Sequence, residues 1–161
     1  MSRAFVKETD NEKAGLPDRP ISPHRNLVTE AGLANIEGAL DRYEAAHRAA
    51  ADTGDRDAAA VALRELRYWR ARRASAEIVK PLEDRSKASF GMTVTVRRDD
   101  GREQSFKIVG EDEADPSRGT VSYVSPLARA VLAHRPGETI MIANHEAVIL
   151  EYGECAASRY L

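Results

Sequence analysis

Phe106-Lys107-Ile108-Val109-Gly110-Glu111-Asp112-Glu113-Ala114-Asp115, followed after nine intervening residues by Ser125-Pro126-Leu127-Ala128-Arg129-Ala130-Val131-Leu132, decides the fold of this chain. The first part alternates apolar and polar residues, the period-two pattern of a half-buried strand. It then runs into four acids around one alanine. The second part opens on Ser-Pro. Serine is a preferred N-cap, and proline fits the first helical position because its missing N–H has no partner there anyway. Leu127, Val131 and Leu132 follow as a buried face. A strand, an acidic loop and a short capped helix in succession predict an α+β module.

The same period of two extends to both sides. Thr93–Val96 alternates, Asp99-Asp100-Gly101 reads as a hairpin turn, and Gln104–Val109 pairs back. Gly119–Val124 is a third strand. Thr139–Ile142 and Ala147–Leu150 are the last two. The expectation is an antiparallel sheet wrapped on one helix, over residues 83–155.

Upstream the period lengthens. Thr29 is a good N-cap type. Leu33, Ile36, Leu40 and Tyr43 recur at steps of three, four and three, one face of an α-helix. Glu37, Asp41, Arg42, Glu44 and Arg48 make the solvated side. Asp52-Thr53-Gly54 closes the helix, glycine being the usual residue just past a C-terminus. A second helix starts at Asp55 or Asp57, where acids suit the helix dipole. Its apolar positions are Leu63, Leu66, Trp69, Ala76 and Val79, and it must stop before Pro81. Two similar helices and a tight turn make an antiparallel hairpin over residues 29–82. The narrow apolar stripe on each arm fits a two-stranded coiled coil. Residues 1–28, with Pro17, Pro20 and Pro23, read as an extended or disordered tail. The alternative is that Pro17-Asp18-Arg19-Pro20-Ile21 packs back on the body or on a partner. Residues 156–161 form a second tail.

Bulk properties narrow the classes. A chain of 161 residues makes one domain or two small ones, and 42% hydrophobic with 31% charged residues suits a globular protein with a long solvated helical part. A net charge of −2 speaks against DNA binding by the chain alone, so local patches must carry any phosphate contact. The single cysteine, Cys155, cannot form an internal disulfide and points to a reducing compartment. No apolar run is long enough to span a bilayer, and residues 1–5 lack a signal-peptide core. These features predict a cytoplasmic protein without a membrane partner. His24, His47, His134 and His145 are scattered, and neither a phosphate-binding loop nor a nucleophile elbow is present.

Two places remain where chemistry can reside. Gly54-Asp55-Arg56-Asp57 puts two carboxylates at the outer end of a rod. They can supply oxygen ligands to a divalent cation, or simply cap the second helix. The second arm is basic, with Arg64, Arg67, Arg70, Arg72 and Arg73 against Glu65. Arg64, Arg67 and Arg70 follow at steps of three. They can meet a nucleic acid, or pair with Asp41 and Glu44 of the first arm.

The quoted stretch resembles the C-terminal domain of the Gre transcript-cleavage factors, and the resemblance covers roughly residues 27–154. That family pushes a helical hairpin into the secondary channel of RNA polymerase. The resemblance implies an FKBP-like C-terminal domain that grips the channel rim. Asp112, Glu113, Asp115, Ser125, Pro126 and Leu127 would be the polymerase contacts. Arg64, Arg67 and Arg70 would meet the nascent RNA near its 3′ end. Asp55 and Asp57 would be the accessory catalytic acids, with Asp55 holding a Mg²⁺ shared with the polymerase active site. The chain would have no cofactor of its own and would not be an enzyme, at most stimulating the polymerase's own transcript cleavage. An isomerase-like fold does not carry isomerase activity with it.

The sequence departs from the family at the tip. Cleavage-active members carry Gly-Asp-x-x-Glu-Asn-Ala-x-Tyr. Here Gly54 and Asp55 are kept, Ala58 stands where the second acid belongs, Ala59 replaces the asparagine and Ala62 the tyrosine. Asp57 is one residue early, and one residue turns a helical side chain by about 100°. The arm from Thr29 to Gly54 is 25 residues, about 37 Å if helical. Against cleavage-active members each arm lacks about two turns, roughly 11 Å. Rnk-type regulators share the C-terminal module and have a still shorter hairpin without cleavage activity. Two functions follow as expectations. One is an elongation factor acting on elongation, pausing or cleavage of backtracked transcripts. The other is a non-catalytic Rnk-type regulator that competes with cleavage factors.

Overall fold

Leu27–Val28 (β1) and Glu77–Ile78 (β2), two residues each, pair in parallel and close the base of a helical hairpin in the computed structural model, which describes residues 16–153. Between them run α1 (Glu30–Thr53) and α2 (Arg56–Ser75). Thr29 caps α1 as expected, its side chain accepting from the Gly32 N–H at 3.0 Å. Gly54 ends α1 at φ 72°, a left-handed conformation that glycine adopts without a Cβ penalty. Its N–H donates to the Ala50 and Ala51 carbonyls.

The seam between the arms is made of Ile36, Ala39 and Ala50 on α1 against Ala62 and Leu66 on α2, all buried. Alanines let the two backbones approach closely. Leu63, expected in the seam, is 38% exposed, and Ala62 takes its place one position earlier. The second helix also ends sooner than its pattern suggests. The Glu77 N–H donates to the Asn26 carbonyl and the Val79 N–H to the Val28 carbonyl, so the chain leaves α2 at Ser75 to pair with β1. Ala76 and Val79 therefore belong to an extended segment, not to a helix face.

The second body is a five-stranded sheet in the order β5-β4-β3-β7-β6. Its strands are β3 (Thr93–Arg98), β4 (Glu103–Val109), β5 (Thr120–Ser122), β6 (Thr139–Ile142) and β7 (His145–Gly153). Asp99-Asp100-Gly101 forms the β3–β4 turn, with Gly101 at φ 81°. β3 pairs antiparallel with β4 and β7, and β6 pairs antiparallel with β7. The expectation of an all-antiparallel sheet is corrected at one edge, since β5 runs parallel to β4. The cause is the connection. Two 3-10 turns, Glu111–Glu113 and Pro116–Arg118, carry the chain back to the level of Lys107 in β4 before β5 begins. The short helix α3 (Pro126–Val131) is capped by Ser125, whose hydroxyl accepts from the Ala128 N–H at 3.2 Å. It buries Ala128 and Val131 fully and Leu127 and Leu132 in part. Val94, Val96, Phe106, Ile108 and Ile149 fill the core beneath it. The class is α+β: a helical hairpin joined to a curled, mixed sheet with one short helix.

Residues 1–15 and 156–161 of the expected tails, and Cys155, lie outside the described residues. Among the described residues no helix is long and apolar enough to cross a membrane.

Candidate functional site

The hairpin tip follows from two local rules. Gly54 reverses the chain, and Asp55 then starts α2 in the extended conformation of an N-cap, its Oδ1 accepting from the Ala58 N–H at 3.0 Å. Asp57 sits in the first turn, where its charge favours the helix dipole. Residues 51–58 are all exposed. Asp55 and Asp57 are thus brought together at the outer end, as expected. Asp55 is already engaged as a cap, however, and the partner of that cap is the residue standing where a second acid would belong. Among the described residues no three His, Cys, Asp or Glu side chains converge in a metal-holding group. The tip offers a cation the Asp57 carboxylate and an Asp55 carboxylate whose Oδ1 already accepts from a backbone N–H.

The three arginines expected to meet RNA are dispersed. Arg67 pairs with Asp18 at 2.5 Å, and Arg70 reaches Glu44 of α1 at 3.4 Å. Arg64 is half-buried, and its Nε has no partner among the described residues. Arg73 pairs with Glu37 at 2.9 Å. The Arg70–Glu44 contact is the inter-arm pairing that the sequence allowed. The contact to Asp18 comes from the segment before β1, which lies along α2. There Arg19 pairs with Glu65 at 2.6 Å and stacks its guanidinium 3.6 Å from the Tyr68 ring centroid.

The acidic turn is engaged within the chain. Asp112 and Glu113, two of the expected polymerase contacts, fasten the sheet to the hairpin. Asp112 accepts hydrogen bonds from the Tyr68 hydroxyl and from Arg72 Nε. Glu113 accepts from the Thr29 N–H at 3.0 Å, from the Thr29 hydroxyl, and from the Gly110 N–H at 3.2 Å. Glu111, the third acid of the turn, accepts from the Ser22 hydroxyl at 2.9 Å and lies 3.8 Å from Arg72 and 3.5 Å from His24. Arg72 is only 1% exposed. An arginine is rarely buried unless paired, and here two carboxylates face it. Burial, and then the hydrogen bond to Asp112, push the Tyr68 hydroxyl up to a pKa of about 12.

Close packing completes the joint. A Cβ on Gly32 would fall 2.1 Å from Glu113 Cδ, and one on Gly110 would fall 2.3 Å from the Leu27 carbonyl oxygen. Both positions need glycine for close approach.

Asp115 turns away from this joint. It caps the next 3-10 turn through Ser117, whose hydrogen bonds hold its carboxyl below the ordinary range. Ser125 caps α3, Pro126 is exposed and Leu127 is half-buried. The six expected polymerase contacts therefore divide into Asp112 and Glu113 at the joint and Asp115, Ser125, Pro126 and Leu127 elsewhere. Sequence reasoning missed Glu111, Tyr68 and Arg72 as partners in one network, while the segment around Asp18 and Arg19 packs back on the body, the alternative that its sequence left open. The only local signal is that Tyr68 and Arg72 are four apart on one helix, hence on one face.

Near the base, a cleft of about 670 Å³ opens between the start of α1, the linker after β2 and the end of the sheet. Lys80, Arg85 and Lys107 line it against Glu30 and Glu83, so its charged lining carries one more cation than acid.

A helical probe fastened through an acidic turn to a small sheet domain is the class of protein these features define. The family model for the C-terminal part of transcription elongation factors GreA/GreB matches residues 83–151. The chain is 40% identical over 85 residues to transcription elongation factor GreB of Neisseria meningitidis serogroup B, covering 52% of each chain. It is 31% identical over 119 residues to transcription elongation factor GreA of Helicobacter pylori, covering 73% of this chain and 69% of that one. The chain belongs to the GreA/GreB family of transcription elongation factors. It spans about half the length of the first curated relatives it matches, 52% in both. The GreA homologue Gfh1 of Thermus thermophilus aligns over 81% of this chain and 99% of its own at 17% identity, with a TM-score of 0.38, too low to carry weight.

Proposed function

We propose that this chain binds RNA polymerase, places its hairpin in the secondary channel, and modulates elongation or pausing by occupying that channel. It belongs with non-catalytic regulators that compete with cleavage factors, and no chemical step is its own. The observation that carries this reading is the tip: Asp55 is engaged by the Ala58 N–H, and Ala58 is a methyl group where cleavage would require a second carboxylate. Membership of the elongation-factor family supports polymerase as the partner. The exposed face around Pro126 on α3 and the outward Asp115 are the groups left to meet it, because Asp112 and Glu113 are engaged internally. α1, with 24 residues, reaches about 36 Å from the joint.

A backtracked elongation complex with end-labelled RNA tests the proposal. The expected result is no acceleration of transcript cleavage, together with loss of GreA-stimulated cleavage as this chain is titrated in. Cleavage that rises with the chain and vanishes in Asp55→Asn would overturn the occupancy reading in favour of a cleavage factor. No retention on immobilised polymerase would overturn both.

A further inference from the structure

The segment before β1 has no role in the function proposed above, yet it is held against the arginine-rich helix α2. α2 carries six arginines and two acids in its 20 residues. Asp18 sits on Arg67 at 2.5 Å. Arg19 lies flat over Tyr68, 3.6 Å from its centroid, and 5.6 Å from that of Trp69, while its Nη1 meets Glu65 at 2.6 Å. Tyr68 and Trp69 themselves meet edge to face at 5.1 Å. Cations interleaved with aromatic faces are the pattern on which single-stranded nucleic acid binds, phosphates on the cations and bases on the rings. Here a carboxylate occupies the cation and a planar guanidinium occupies the ring.

Ahead of Ser22, whose hydroxyl donates to Glu111 at 2.9 Å, the segment is held by side chains alone. Residues 16–25 make no backbone–backbone hydrogen bond with another described residue. Their grip on α2 consists of side-chain ion pairs and one stack. The Asp18 side chain is 69% exposed and that of Arg67 41%, so this pair is screened by salt and contributes little to stability. Leu16 and Ile21, at 40% and 46% exposed, do not anchor the segment in a core. On the same helix, Trp69 Nε1 and Arg64 Nε are buried donors without a partner among the described residues.

We propose that residues 16–22 are a displaceable cover on α2: Asp18 stands in for a phosphate on Arg67 and Arg19 for a base on Tyr68, so the cover and single-stranded RNA compete for one surface. The proposal rests on the elongation-factor reading for the source of the RNA. Displacing the cover frees Arg67 and the Tyr68 ring. It also frees Glu65, whose carboxylate can accept from a base amino group but repels phosphate. The net charge of the face is unchanged, so the gain lies in where cation and ring become available.

The test uses the full chain, a fluorescein-labelled single-stranded oligoadenylate, and anisotropy over a range of salt. Asp18→Asn with Arg19→Gln is expected to bind about ten-fold more tightly than the unaltered chain, the worth of roughly one stacked base. The dependence of log affinity on log salt is expected to steepen by about 0.7, one added phosphate contact on a single strand. Adding Arg67→Gln should return the salt slope to that of the unaltered chain while keeping the part of the affinity gain that stacking on Tyr68 supplies. Trp69 is the only tryptophan, so its emission reports the cover directly. RNA should shift the emission of the unaltered chain towards that of the double variant. Equal or weaker affinity in the double variant, an unchanged salt slope, or no binding by either protein overturns the cover. Polyglutamate binding the double variant as tightly as RNA also overturns it, and marks a surface for acidic peptides. Retention on immobilised polymerase, measured on the same preparations, separates the two ideas. A chain that binds polymerase but shows no gain loses only the cover.

Discussion

Carboxylates at the two ends of the hairpin do opposite work. At the tip Asp55 and Asp57 are exposed, and one backbone N–H is the only hydrogen-bond donor seen on either carboxylate among the described residues. At the base Glu111, Asp112 and Glu113 meet Ser22, Thr29, Tyr68, Arg72 and Gly110, binding a helix start, a helix end and the preceding segment to the sheet. The hairpin's direction is therefore set by a buried electrostatic joint, while its far end is chemically sparse. A protein that acts by placing a rod needs the first property and can dispense with the second.

The comparison breaks most readily at Arg72. Removing one partner of a buried pair leaves the other desolvated and uncompensated, which costs roughly 3–5 kcal/mol. Arg72→Ala is therefore expected to lower unfolding stability by about that amount in a urea titration. A loss below about 1 kcal/mol would mean that water reaches Asp112 and that the joint is an ordinary surface pair. Gly32→Ala probes the same place sterically. Its methyl must displace the Glu113 carboxyl group, 2.1 Å away, from Thr29. The expected cost is about 1–3 kcal/mol, against the small gain alanine usually brings to a helix. The same change at Gly38, where a Cβ meets nothing within 4 Å, should instead be neutral or stabilising.

How these regions read from sequence follows the range of the forces that build them. The hairpin was legible because helix period, the Thr29 and Asp55 caps and the Gly54 reversal are all local. The end of α2 was not, because Ser75 is its last residue only on account of β1, which lies some fifty residues earlier in the chain. The strands were legible by alternation. The parallel β4–β5 pairing was not, because a return made of two 3-10 turns has no periodic signal. Four acids around one alanine read as a solvated loop. Their burial depends on Thr29, Tyr68 and Arg72, 84, 44 and 40 residues from their partners, and no window along the chain contains both sides. At the tip, Asp55 was open between cap and ligand because one side chain serves both uses.

The joint should also carry an alkaline signature that the tip lacks. The Tyr68 hydroxyl is raised to about 12 in the folded chain, against about 10 when unfolded. A raised folded value means the folded state holds its proton more tightly. The stabilisation is then complete below about pH 10 and is lost as pH rises towards 12. Tyr68→Phe should reduce stability at neutral pH, by loss of the bond to Asp112, and should flatten the decline between pH 10 and 12. Tyr123 and Tyr152 are raised as well, mainly by burial, so a residual slope should remain. An unchanged slope in Tyr68→Phe would show that the hydroxyl is not held in the joint.

The smallest expected effect lies at the tip, and it decides how the tip can be tested. Asp55→Ala removes an N-cap and should cost about 1 kcal/mol, while Asp55→Asn should cost almost nothing, since asparagine caps as well as aspartate. Urea titration of both variants separates cap from charge before any polymerase is added. If alanine is as stable as aspartate, the cap is dispensable and the carboxylate is free for another task, which reopens the cleavage reading. If alanine alone is destabilised, a functional loss in Asp55→Ala reports a frayed helix start. Only a loss shared by Asp55→Asn then reports the charge. Asparagine is thus the informative substitution, because it holds the geometry of the probe's end constant while removing the one property that metal chemistry would require.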